Sequence, residues 1–307
     1  MSKDTHPKSL FPSATAPERQ RLLRFSSLAS IGVAGSLILA KLVTWMLTDS
    51  VGMLASLADS LLDLLASGIT FWAIRAAAAP PDQEHRFGHG KAEPIAALSQ
   101  AGFVVGTSVL VAIQALHQLT APSPLAYVNV GMGVMLLAIV LTLGLLALQK
   151  WVYQKTHSIA LKADSMHYQS DLLINIAVLL ALLITQQTGL LWVDGVLGLA
   201  ISLLLLRSAW HIGRGAVDML MDRELPEVER QLIIDTLTKQ TGIVSWHDLK
   251  TRMAGPDRFI QLHLELDGNL SLFQAHQLAD AVELQLRQQF PQAEILIHQD
   301  PAGVEQL

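Results

Sequence analysis

Six stretches of about 20 apolar residues follow one another between residues 25 and 220, each long enough to cross the hydrocarbon core of a bilayer. They run over about 25–48, 51–74, 95–119, 125–149, 166–186 and 190–210. A backbone surrounded by lipid must satisfy its own hydrogen bonds, so this region is expected to form membrane-spanning helices. The residue balance agrees: 51% of the 307 residues are hydrophobic and 15% charged, against about 25% charged in a soluble domain.

The connections set the expected orientation. Lys3, Lys8, Arg19, Arg21 and Arg24 precede the first span; Arg75, Arg86 and Lys91 follow the second; Lys150, Lys155 and Lys162 follow the fourth. The remaining connections, TDSVG, QLTAPSPLA and QQTGLLWVD, contain neither Lys nor Arg. Basic residues stay on the cytoplasmic side, so both termini are expected there. Lys41 lies within the first span near its outer end, where its stem is expected to snorkel towards the headgroups. Residues 1–20 are polar, contain three prolines and lack the apolar core of a signal peptide, so they read as a disordered tail.

Residues 21–221 thus form an expected six-helix transmembrane domain, and from Asp222 the composition becomes that of a soluble domain. Leu225-Pro226-Glu227 opens a helix reaching about residue 240. Residues 243–253 and 258–267 read as strands joined by the turn Ala254-Gly255-Pro256-Asp257. Ser271 caps a helix to about residue 289, and residues 293–299 form a last strand. The expected fold is therefore an α-helical membrane protein with an αββαβ, α+β domain over 222–302, ending in a short tail, 303–307. That domain carries 13 acids against 6 basic residues from Glu224 onward, a surface for metal cations rather than anionic lipid. The formal net charge of −5 offers no basic face to nucleic acid, and the lack of cysteine excludes disulfides, thiolate metal sites and Cys nucleophiles.

Ionisable side chains inside a span are costly and are functional candidates by default. Asp59 and Asp63 stand at i and i+4 in the second span, and His167 and Asp171 repeat that spacing in the fifth. Each pair shares one helix face, so two facing helices bring together three carboxylates and an imidazole, the number of ligands a tetrahedral divalent cation takes. The competing reading is a set of polar groups hydrogen-bonded between helices. A full protein shell leaves no open metal position, which favours holding an ion over hydrolysis.

Two further groups have metal-ligand chemistry. The loop after the second span places Asp82, His85 and His89 within eight residues, with Gly88 and Gly90 expected to let the backbone fold around them. A solvated polar loop is the plainer alternative. The C-terminal domain contains His247, His263, His276 and His298. Strand alternation puts Ile260, Leu262, Leu264 and Leu266 on one face and Gln261, His263 and Glu265 on the other, with His298 and Asp300 sharing the polar face of the last strand. Solvent-facing histidines would give the same pattern.

These segments resemble the cation diffusion facilitator family. The resemblance rests on Ala58-Asp59-Ser60-Leu61-Leu62-Asp63, on His85-Arg86-Phe87-Gly88-His89-Gly90-Lys91, and on the run from Lys162 to Asp171. Asp222-Arg223-Glu224-Leu225-Pro226 and Ile297-His298-Gln299-Asp300-Pro301 extend it over about residues 20–302. It implies a homodimeric zinc/proton antiporter of the bacterial inner membrane with a metallochaperone-like cytoplasmic domain. Asp59, Asp63, His167 and Asp171 match the family's transport site, and Asp82, His85 and His89 its loop site. His247, His263, His276, His298 and Asp300 match a binuclear site in which the Asp bridges two ions. Lys91 and Asp222 match residues that form inter-subunit salt bridges. Zn2+ is then both substrate and regulatory or structural ion, with no organic cofactor; protons, divalent metal ions and the lipid bilayer are the other partners. The N-terminal extension departs from the pattern.

Three functions compete for these residues. Efflux of a divalent cation by proton antiport uses every group above; zinc is the expected substrate, with Fe2+, Cd2+ or Mn2+ as alternatives. A membrane-anchored metal sensor needs no ligands at membrane depth. An intramembrane metallohydrolase needs an open metal position and a general base.

Overall fold

A computed structural model describes residues 16–48, 51–120, 128–188, 190 and 192–303; the side chains of some helical residues, Asp59 among them, lie outside the described set. The chain divides into two compact units, one over residues 13–217 and one containing residues 218–307.

The first unit is helical. Its elements are α1 (Ala16–Thr48), α2 (Val51–Ala77), α3 (Ala92–Thr120), α4 (Val128–Thr156), α5 (Ile159–Thr188) and most of α6 (Trp192–Leu220). At 27 to 33 residues, each exceeds the roughly 20 needed to span a bilayer. Among the described residues, α1, α3, α4 and α6 contain a sufficiently apolar window. The other two helices, α2 and α5, carry the paired ionisable residues and complete the six.

The packing is inverted relative to a soluble bundle. Large side chains such as Leu110, Val140, Leu203 and Trp210 are mostly exposed, as a lipid-facing surface requires. The interior holds small and polar residues: Ser26, Ser30, Ser67, Thr70, Gln100, Ser108 and Gln149 are all buried. Such residues let helices approach closely and hydrogen-bond across the gap, which replaces the hydrophobic drive lost in lipid. Gly195 and Gly198 of α6 show the closeness, since a Cβ on either would meet α3 within 3 Å, at Leu119 and Ala115. Helix α5 packs against α2, α3 and α4, while α1 lies on α2 and α4.

The structure differs from the sequence-based expectations at three places in this unit. Residues 16–20, expected in the disordered tail, form the first turns of α1; Pro17 is tolerated there because first-turn amides need no intrahelical partner. Residues 1–15 lie outside the described residues. Helices α4 and α5 extend through 150–165, expected as a connection, and reverse at His157 (φ 48°) and Ser158. Hydropathy marks where a helix meets lipid, and Lys and Gln are good helix formers that prolong it beyond that point. Finally, the Lys41 Nζ donates to the Ser60 hydroxyl on α2 at 2.6 Å, so its amine turns to a neighbouring helix rather than to the headgroups.

The second unit orders its elements as α7 (Glu227–Lys239), β1 (Ser245–Ala254), β2 (Asp257–Leu266), α8 (Leu272–Gln289) and β3 (Ala293–Pro301). Pro226 stands at the N-cap of α7 with Glu227 and Glu229 in the first turn. Ser271 and Gln274 form a reciprocal capping box at α8. The sheet order is β1-β2-β3, the first pair antiparallel through Gly255 (φ 61°) and the second parallel across α8. Ile260, Leu262, Leu264 and Leu266 are buried with Ile233, Leu237, Val282 and Leu286 of the helices, leaving the opposite face of β2 to polar residues.

Candidate metal centres

Helices α2 and α5 bring Asp63, His167 and Asp171 together, with one ligand atom of each within 4.8 Å of the others. The His167 Nε2 lies 2.9 Å from Asp63 Oδ1 and 3.8 Å from Asp171 Oδ2. His167 is buried, and its Nδ1 has no hydrogen-bond partner among the described residues. The i, i+4 spacing accounts for the pair on α5, while Asp63 arrives from α2 by tertiary packing. Asp59 lies one turn before Asp63 on α2, and its side chain lies outside the described residues.

The loop group is also assembled. Asp82 Oδ1 accepts the backbone amides of Glu84 and His85 at 2.9 and 2.6 Å, which fixes the turn. His85 Nδ1 and His89 Nε2 then stand 3.4 and 3.2 Å from the Asp82 carboxylate, with their rings 4.7 Å apart. Gly88 (φ 79°), not Gly90, takes the left-handed conformation. The backbone amide of His85 holds the Asp82 carboxyl below its ordinary range, so it stays anionic.

In the second unit, His247 pairs with His263 and His263 with His298, so three imidazoles cross the sheet in one row. Adjacent ring centroids are 5.0 and 4.7 Å apart. Asp300, two residues after His298 on β3, collects all three: Oδ2 lies 2.8 Å from His263 Nδ1 and 3.6 Å from His247 Nε2, and Oδ1 lies 3.2 Å from His298 Nε2. The hydrogen bond from His263, then the charge of the nearby imidazoles, holds the Asp300 carboxyl below its ordinary range. His276 is not brought to this group; it faces Asp280 on α8 at 3.5 Å. Imidazole and carboxylate together are a borderline donor set that suits Zn2+ at the loop and at the sheet.

Sequence reasoning passed over two buried acids and one partly exposed one. Asp164, wholly buried, accepts hydrogen bonds from Ser30 on α1 and Gln149 on α4. It escaped notice because the fifth apolar span was expected to begin at 166, and its position three residues before His167 was the available signal. Glu93 is buried at the start of α3, bound by Arg19 of α1 and by Ser158 of the turn between α4 and α5, both at 2.6 Å. Glu265 sits 3.1 Å from His247 Nδ1, beside the sheet cluster.

A six-helix membrane bundle holding a carboxylate–imidazole cluster between two helices, joined to an αββαβ domain, defines a transporter of cations rather than an enzyme. The cation efflux transmembrane domain matches residues 27–221, and the cation efflux protein cytoplasmic domain matches residues 225–302. The chain belongs to the cation efflux family. It is 44% identical over 289 residues to the cation-efflux pump FieF of Salmonella choleraesuis (strain SC-B67), covering 92% of this chain and 94% of that one. The cation-efflux pump FieF of Serratia proteamaculans (strain 568) is 45% identical over 288 residues, 94% of this chain and 96% of that one. A solved structure of CzrB in its Zn form is 36% identical, covering 28% of this chain and 99% of that one, with a TM-score of 0.26.

Proposed function

We propose that this protein expels zinc from the cytoplasm in exchange for protons, as a homodimer in the bacterial inner membrane with both termini in the cytoplasm. The meeting of Asp63, His167 and Asp171 between α2 and α5 carries this reading. Asp59 is the fourth ligand of that transport site. Three carboxylates and an imidazole suit Zn2+; Cd2+ fits the same donors, and Fe2+ and Mn2+ compete less well for imidazole. The naming of close relatives as cation-efflux pumps supports the outward direction.

Ligands must shed protons to bind metal, so protons arriving from outside displace the cation and reset the site. Rocking of helices about this fixed point exposes it to each side in turn. In this reading Asp82, His85 and His89 hold a second ion. His247, His263, His298 and Asp300 hold a binuclear pair off the transport path, and His276, which faces Asp280 in this structure, joins them only on a movement of α8. Lys91 and Asp222 form salt bridges between the subunits.

Zinc uptake into proteoliposomes under an imposed pH gradient is the test. Accumulation that follows the gradient and disappears when it is dissipated is expected. Zinc flux indifferent to the gradient overturns the antiport, and no flux of zinc beside vigorous flux of Fe2+ or Mn2+ overturns the choice of metal.

A further inference from the structure

One helical turn before the membrane triad stands a carboxylate with no exposed surface and, among the described residues, no lysine or arginine partner: Asp164 of α5. Its hydrogen bonds come from three other helices. Gln149 Nε2 on α4 donates to Oδ2 at 2.8 Å, Ser30 Oγ on α1 approaches the same oxygen at 2.9 Å, and Ser67 Oγ on α2 reaches Oδ1 only at 3.5 Å.

Counting hydrogens shows which oxygen is short of a donor. Gln149 uses its second N–H on Ser30 Oγ at 3.0 Å, and the Ser30 hydroxyl hydrogen goes to Asp164 Oδ2 at 2.9 Å in preference to the Ser26 carbonyl at 3.3 Å. The Tyr168 hydroxyl donates to the Ser30 carbonyl at 3.1 Å. Ser67, 2.9 Å from the Tyr168 oxygen, then gives it its only hydrogen. Asp164 Oδ1 is left without a short donor. A buried ionised carboxylate in that condition is strongly disfavoured, and such a group takes up a proton instead. A hydrogen on Oδ1 removes the charge and points at Ser67 Oγ, whose lone pairs are available.

We propose that Asp164 is a proton-carrying site of the transporter, separate from the metal ligands. It holds a proton on Oδ1 in this arrangement and releases it when α5 shifts against α1, α2 and α4. The O–H bond forms with a proton from water on one side of the membrane and breaks to water on the other, with no electron transfer. The inference rests on the antiport reading. The titratable neighbours on α5 itself are His167 and Tyr168. The faces packed against Asp164 present Ser30, Ser67 and Gln149, and α3 presents Ala97 and Ala101 to the adjoining Ala163.

Each proton exchanged per cation lets a pH difference of one unit sustain about a tenfold concentration ratio. Full-length protein and its Asp164→Asn variant are compared in proteoliposomes at zero membrane potential, with zinc as the cation and a one-unit pH gradient. Asn keeps the shape and the donor of a protonated Asp but cannot release it. Zinc held at the membrane site is read separately, as the fraction of bound zinc lost on adding Asp63→Ala.

The expected result is intact zinc binding with a limiting accumulation ratio about tenfold lower than that of the unmutated protein. Transport lost altogether, with binding intact and recovery in Asp164→Glu, supports the proposal equally, since an ionisable carboxyl is what Glu restores. An unchanged ratio overturns it and makes the network a fixed polar contact. Lost binding at the membrane site overturns it too, making Asp164 a scaffold for the ligands. Should the unmutated protein ignore the gradient, the antiport reading itself fails.

Discussion

His167 Nε2 and Asp63 Oδ1 stand 2.9 Å apart and join the fifth helix to the second at a buried point. In the proposed transport site this buried imidazole, with a second carboxylate 3.8 Å away, would trade its hydrogen bond for a shared cation. Asp63→Ala and His167→Ala should each reduce cation flux in vesicles to background while size-exclusion profiles stay unchanged. Near-normal flux in either variant would remove the pair from the transport site.

The sheet cluster depends on Asp300, the carboxylate that, among the described residues, approaches three imidazoles. Ligands that bind only in the folded state raise stability by mass action. Zinc should therefore raise the melting temperature of the cytoplasmic unit within the full-length protein, and Asp300→Ala should cut that rise sharply. Calorimetry with and without zinc measures both. An equal rise in the variant would make these surface histidines.

Without metal, Asp300 should show its depressed carboxyl in acid. A carboxyl whose folded value lies below its ordinary one stabilises the fold above about pH 3.9, and the benefit is lost as pH falls through the folded value. Asp300→Asn should thus be less stable than the unmutated metal-free protein at neutral pH, with the gap closing below about pH 4. Denaturant titrations across pH 2–7 test this, and a gap that does not change with pH would contradict it.

Arg19 and Glu93 form an ion pair at 2.6 Å with Glu93 almost wholly buried. Removing one partner of such a pair leaves an uncompensated charge and costs about 3–5 kcal/mol. Arg19→Ala should destabilise the membrane unit by that order, and adding Glu93→Gln should recover much of it. Thermal inactivation of the four members of this cycle gives the coupling directly.

Leu264, fully buried on β2 between α7 and α8, tests the smaller core. Leu264→Ala should cost about 2–5 kcal/mol through lost burial and a cavity. Leu296 on β3 is largely exposed, so Leu296→Ala should have little effect on the same unfolding curve.

Much of this architecture was legible beforehand because its signals are local. A span of about 20 apolar residues, alternation along Ile260–Leu266 and an N-cap such as Ser271 each act within a few turns of chain. Shared helix faces likewise marked His167 with Asp171, and strand parity marked His298 with Asp300.

Tertiary packing decided the rest. That Asp63 meets His167, that His247, His263 and His298 fall into one row, and that His276 stays with Asp280 depend on helix contacts and strand register set by chain segments far apart. Asp164 and Glu93 are the sharpest cases. The spacing to His167 flags Asp164 as a candidate, but neither acid's immediate sequence decides burial, because the partners that make it tolerable, Ser30 and Gln149 for one and Arg19 and Ser158 for the other, come from other helices or from beyond a turn. A buried polar group is stable only when distant donors reach it, and that condition is met by the packed helices together.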